Sequence, residues 1–112
     1  MRDNKIEWNS LHTHTEYSLL DGSGKIKNIM KRAKEIGMKS IAITDHGVMY
    51  GCVEFYKQAV ENGIKPIIGC EVYVAAKSRF IKQPDKENKT YHLVLLGFQT
   101  TLRPVPMCVT LH

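Results

Sequence analysis

The sequence predicts an α/β fold assembled from parallel strand–helix–strand units. Amphipathic helical stretches and short β-branched runs alternate along the chain, and each helix ends at a glycine that a strand follows within three residues. In addition, imidazole and carboxylate side chains recur at the ends of the expected strands, where the loops of such folds converge on one site.

Residues 7–13 form the first expected strand. Ile26, Ile29, Met30, Ala33 and Ile36 then recur at helical spacing, with Lys25, Lys27, Lys31 and Lys34 on the polar side. A helix is therefore expected over residues 25–36, with Ser23 as its N-cap and Gly37 as a left-handed stop. Residues 40–44 (SIAIT) are β-branched and short, as a buried strand requires. A second helix places Cys52, Phe55, Tyr56, Ala59 and Val60 on one face and ends at Gly63. Residues 65–74 form the next strand; residues 77–90, polar, lysine-rich and containing Pro84, form an exposed loop; residues 91–97 (YHLVLLG) return to strand. From Phe98 to His112 there is no helical period and no capping signal, and two prolines stand close together. The expected organisation is one domain over residues 1–97 with an irregular tail over 98–112.

At 112 residues and 43% hydrophobic content, the chain can bury one small core. No apolar run approaches the roughly 18 residues a membrane span needs, and the charged first residues resemble no secretory signal. A soluble cytoplasmic protein is the expectation. Cys52, Cys70 and Cys108 are odd in number and lack a CxxC pair, which argues against a disulfide framework and a zinc knuckle. Cys52 and Cys70 are expected as small core residues. The net charge of +5 suits a polyanionic partner, although the lysines are dispersed rather than striped.

His12 and His14 stand two apart near the end of the first expected strand, so strand periodicity puts both rings on one side. An isolated HxH is commonly two polar loop residues, and its company is what gives it meaning. Thr44-Asp45-His46-Gly47 follows the second expected strand, and Glu71 lies near the end of the third. Three strand ends thus deliver three histidines and a glutamate to one region. Imidazole with carboxylate suits zinc, manganese or iron better than calcium. Asp21, in the LLDG turn, is equally suited to ligation and to an Asx turn.

The strings LHTHTEYSLLDG, AITDHGVMYG, EFYKQAVENGIKPIIGCEVYV and YHLVLLG together resemble the polymerase and histidinol phosphatase (PHP) domain that opens bacterial replicative DNA polymerase alpha subunits. The resemblance covers residues 7–97. HxH and TDHG mark the PHP superfamily in general, whereas EYSLLDG and GIKPIIGCEVYV are much more specific to the replicative polymerases. What the resemblance implies is the first half of a distorted seven-stranded β/α barrel with a trinuclear metal cleft at one mouth. It implies His12, His14, Asp21, His46, Glu71 and His92 as metal ligands, with Glu71 bridging two ions.

Among these, Glu71 takes a catalytic role as bridging carboxylate, and Asp45 takes one by orienting His46 or its loop. The activity implied is template-directed DNA synthesis by the whole protein, with metal-dependent 3′→5′ exonuclease or other phosphoester hydrolysis in this domain. The implied partners are DNA, replisome subunits and the remainder of the polymerase chain. The alternative is a free-standing PHP phosphatase acting on a small metabolite such as histidinol phosphate. The family's remaining ligands, a Cys or His on a later strand and an Asp-x-His pair, are expected beyond the chain's end. Cys108 and His112 stand in surroundings that match nothing in the family. On this reading the isolated chain is an open half-barrel, inactive and either aggregation-prone or only marginally folded. Lys77 and Arg79 are available to a nucleic-acid backbone or are solvated loop charges.

Overall fold

A computed structural model of the chain describes residues 7–19, 21–82, 89–99 and 104–111, with side chains described as far as residue 97. Its elements run α1 (Ile26–Glu35), β1 (Ser40–Ile43), α2 (Cys52–Glu61), β2 (Lys65–Ala75), β3 (Thr90–Gln99) and β4 (Pro104–Leu111).

Helix α1 forms where the apolar spacing put it and buries Ile26, Met30 and Ala33. Its start differs from expectation: Lys25, extended at φ −67° and ψ 135°, is the N-cap and makes no side-chain capping bond. Ser23 therefore does not cap. Arg32 and Lys34 in the last turn face the free carbonyl end, where positive charge is favoured. Gly37 and Gly63 adopt φ of 80° and 69°, stopping α1 and α2 as expected. After each stop the chain is drawn back on its helix by an amide bond, Met38 to the Ala33 carbonyl and Ile64 to the Ala59 carbonyl, both 2.9 Å. On α2, Phe55 and Ala59 are buried, but Tyr56 and Val60 are exposed, so the contact strip is narrower than the sequence pattern implied.

The sheet order is β1-β2-β3-β4. Strand β2 has two halves. Its first pairs parallel with β1, from Ser40↔Lys65 to Ile43↔Ile68; its second, Gly69 to Ala75, pairs antiparallel with β3. The expectation of an all-parallel sheet is corrected at this point. Among the described residues no helix stands between β2 and β3, and a parallel return needs a crossover, usually helical. The two strands instead meet antiparallel, from Gly69↔Leu96 to Ala75↔Thr90. Pro84 lies outside the described residues.

Strand periodicity then divides the core. Ile41 and Ile43 face the helices and join Ile26, Met30, Ala33, Phe55, Ala59 and Ile64. Ala42 points the other way and packs with Val94, Leu96 and Ile67. The expected first strand is reduced to one parallel bridge, Ser10↔Ile41. Side chains share the work there: the Asn9 amide oxygen accepts the Lys39 and Ser40 N–H groups at 3.1 and 3.0 Å.

The expected irregular tail instead forms β4, antiparallel to β3 with a register shift between Leu96 and Phe98. The free edge of β3 offers a backbone template, and Val105, Val109 and Thr110 favour extended chain. Pro104 and Pro106 are compatible with a strand paired on one side only. His112 lies outside the described residues, and no described helix is long and apolar enough to cross a membrane.

Phe55 is fully buried at the centre of the helix-facing core. Phe55→Ala should cost about 3–5 kcal/mol, read as a lowered midpoint in urea denaturation. A shift no larger than that of an exposed-site control such as Tyr56→Ala would contradict this packing.

Candidate metal centre

Where β1 ends, the chain is stitched to the segment that carries the HxH pair. Thr44 Oγ1 accepts the Thr13 N–H at 2.8 Å, and the Thr44 N–H donates to the Thr13 carbonyl at 2.9 Å. The next residue, Asp45, is buried, and its carboxylate accepts the Thr15 N–H at 2.6 Å, the Thr15 hydroxyl at 2.7 Å and the Ser18 hydroxyl at 2.7 Å. The Ser18 oxygen in turn accepts the His46 N–H at 3.0 Å. The Ser18 carbonyl accepts the amides of Asp21 and Gly22, both at 3.0 Å. Gly22 packs so tightly that a Cβ there would lie 1.9 Å from the Thr15 carbonyl oxygen, and only glycine fits. Asp21 and Gly22 are thus folded onto the Asp45 anchor, and the Asp21 side chain is delivered to the site.

On the other side of His46 lies Glu71, joined to it by a parallel bridge. The Glu71 N–H donates to the Asp45 carbonyl at 3.0 Å, and the Glu71 carbonyl accepts the Gly47 N–H at 2.7 Å. Its side chain is buried, and four imidazoles converge on it. Oε2 lies 2.6 Å from His14 Nε2, 2.9 Å from His46 Nδ1 and 3.5 Å from His12 Nε2, while Oε1 lies 3.2 Å from His92 Nδ1. His12 and His14 approach each other at 3.1 Å through their Nε2 atoms. Asp21 Oδ2 contacts His46 Nε2 and lies 3.6 Å from His14 Nδ1. Burial acts to raise the Glu71 carboxyl, but hydrogen bonding by His14 and the positive character of His46 and His12 outweigh it and hold the group below its ordinary value.

The donors fall into three overlapping groups: His12, His14 and Glu71; His14, Asp21 and His46; His46, Glu71 and His92. Within each group the donor atoms lie within 4.8 Å of one another. His14, His46 and Glu71 each belong to two. One further feature fits a cation: His46 Nδ1 is buried and has no hydrogen-bond partner among the described residues. Glu71 Oε2 is near enough to bond it yet forms no aligned bond, so the contact is electrostatic proximity rather than satisfaction. Four imidazoles with two carboxylates form a donor set suited to zinc, manganese or iron.

All six residues expected as ligands are brought together. Asp45 stands outside the donor groups, its carboxylate occupied by Thr15 and Ser18, so it orients the loop. Arg79 rests its guanidinium 4.8 Å from the centre of the Phe80 ring. Cys70 sends its thiol to the Asp45 carbonyl at 3.5 Å, and burial pushes that thiol up from its ordinary value. Three neighbours of the site went unmarked in the sequence. Thr15 and Ser18 are ordinary loop residues by pattern. Tyr73, whose ring centre is 4.9 Å from that of His92 and 6.4 Å from that of His46, was signalled only by standing two residues after Glu71 on one strand.

Asp45→Ala would leave the Thr15 N–H and two hydroxyls without their acceptor. Losing a buried hydrogen bond to a charged group costs about 1.5–3 kcal/mol, so the expected outcome is destabilisation of at least that size. Amide exchange should quicken most at Thr15 and His46. Unchanged protection at both amides would show that the loop is held by something else.

The chain is 53% identical over 88 residues to the DNA polymerase III subunit alpha of Borreliella burgdorferi, a match covering 78% of this chain and 8% of that protein. To the same subunit of Thermus aquaticus it is 44% identical over 108 residues, covering 88% and 9%. The chain therefore spans less than a tenth of the length of these relatives. Among solved structures, a protein from Bifidobacterium adolescentis assigned as a metal-dependent phosphoesterase superposes with a TM-score of 0.64 at 22% identity, over 83% of this chain and 28% of that one. An amidohydrolase from Chromobacterium violaceum with bound sulfate and no metal gives 0.62 at 28% identity, over 79% and 27%. The mixed α/β fold is consistent with part of a barrel of this type. A family model for the PHP domain matches residues 10–103, most of the sequence, and the chain belongs to the PHP domain family.

Proposed function

We propose that this chain is the metal-binding phosphoesterase-type region of a bacterial replicative DNA polymerase alpha subunit. The observation that carries the reading is the sharing of Glu71, His14 and His46 among three donor groups, an arrangement built for more than one cation. His12, His14, Asp21, His46, Glu71 and His92 would hold the ions, with Glu71 as the common carboxylate. Divalent ions in such a site supply an acidified water as nucleophile and polarise the oxygens of a phosphoester. The chain's own residues do the positioning. Glu71 offers one oxygen towards His12, His14 and His46 and the other towards His92. Asp45 fixes the loop from which Asp21 reaches His46.

In the parent protein the activity proposed for this site is 3′→5′ hydrolysis at a DNA end, accompanying template-directed synthesis carried out elsewhere in the chain. Support for the polymerase assignment comes from identities of 44–53% to polymerase subunits. DNA and the other replisome subunits are the proposed partners, in the cytoplasm. A net charge of +5 is compatible with DNA.

Isothermal titration with zinc tests the site. Wild type should bind more than one ion, His12→Ala should weaken binding, and Glu71→Ala should weaken it at least about tenfold, a loss of 1.4 kcal/mol or more. Equal affinity and stoichiometry in wild type and Glu71→Ala would place the ions elsewhere and end the proposal.

A further inference from the structure

We infer that Tyr73 is a stacking platform for an aromatic base carried by the phosphoester, which makes the substrate of this site a nucleotide or a nucleic-acid end rather than a bare sugar phosphate. The inference rests on the phosphoester reading above and deepens it. Tyr73 stands two residues beyond Glu71 on the same face of β2, directly across from His92 on β3. Its ring is within 10° of parallel to that of His46 and near perpendicular, at 89°, to that of His92. It is nevertheless 56% exposed. The hydroxyl has no hydrogen-bond partner among the described residues, so the polar tip does not fix the ring; contacts with two candidate ligands do.

Other large aromatic residues are exposed, but they do not share this position. Tyr91 is the neighbour of His92 and therefore projects from the opposite face of β3, and neither Trp8 nor Tyr50 makes a ring contact with His14, His46 or His92 among the described residues. Tyr73 alone among these presents an open aromatic surface beside the donor groups. A phosphate held by ions at those groups would carry its next substituents past the rim of the site, where this ring lies. A flat, sequence-tolerant π surface is what a nucleic-acid base stacks on. Downstream on the same segment, the exposed Phe80 with the Arg79 guanidinium stacked on it repeats the pairing of aromatic and cation found along single-strand paths.

The test titrates the zinc-loaded chain with deoxyadenosine monophosphate and with deoxyribose 5-phosphate, in wild type, Tyr73→Phe and Tyr73→Ala, with zinc affinity measured for each. Wild type should bind the nucleotide about tenfold more tightly than the sugar phosphate, in line with the usual worth of one base–aromatic stack. Tyr73→Phe should keep that preference, and Tyr73→Ala should erase it while zinc affinity stays unchanged. Equal binding of both compounds by wild type would overturn the inference and leave the phosphoester reading standing. So would a Tyr73→Ala variant that loses zinc and both compounds in step, since the ring would then only buttress His46 and His92. Binding of neither compound by zinc-loaded wild type would overturn the phosphoester reading, and this inference with it.

Discussion

The Asp45 carboxylate lies out of solvent and accepts three hydrogen bonds, two from Thr15 and one from Ser18. A buried charge is tolerable only when its hydrogen-bonding capacity is met. The segment before and after these residues is therefore bound to the end of β1 by more than its own packing. His12 and His14 precede the anchor and Asp21 follows it, so half of the candidate ligands take their positions from a residue that touches none of the ions they would hold. Ser18 sharpens the coupling because its hydroxyl serves Asp45 while accepting the amide of His46. The loop and the strand end cannot shift independently without stranding one of those groups.

How much of this was legible in the sequence depended on whether a residue's type limits its role. Ile26, Met30 and Ala33 sit at a spacing only a helix satisfies, and α1 appeared where they placed it. Gly37 and Gly63 marked both helix ends because a left-handed stop strongly favours glycine. The direction of β3 was not legible: YHLVLLG is equally at home beside a parallel or an antiparallel neighbour. Nor was β4, because two prolines suggest broken structure when in fact they are compatible with an edge. In the site, His12, His14, His46 and Glu71 announced themselves by recurring at strand ends. Asp21 stayed undecided until the Ser18 carbonyl and the tight packing of Gly22 fixed its turn. His92 was reachable only through family resemblance, since its neighbour in space is 21 residues away in sequence. Thr15 and Ser18 carry no signal at all as types, because hydroxyl residues are common in loops of every kind.

The division of β2 explains why the donors gather where they do. Up to Ile68 the strand lies against β1 as one stave of the sheet; from Gly69 its ladder runs with β3, and a single bridge from Glu71 to His46 remains on the other side. Glu71 sits just past that change of partners, with His46 beyond the end of β1 on one side and Val94 of β3 on the other. Its main chain is held on both flanks, so the carboxylate is the fixed point to which the more exposed His12 and His92 are referred.

Asp45 and His46 are adjacent, yet one side chain is turned inward to carry a charge in the protein's interior and the other is turned to the donor groups. Strand-like chain alternates its two faces residue by residue. Insertion or deletion of a single residue between Ile43 and Gly47 would exchange those faces, aiming a carboxylate at the rings and an imidazole at Thr15 and Ser18. The dipeptide therefore fixes the phase of the chain as well as its composition. Length changes in this short stretch would be far more disruptive than substitutions at its rim.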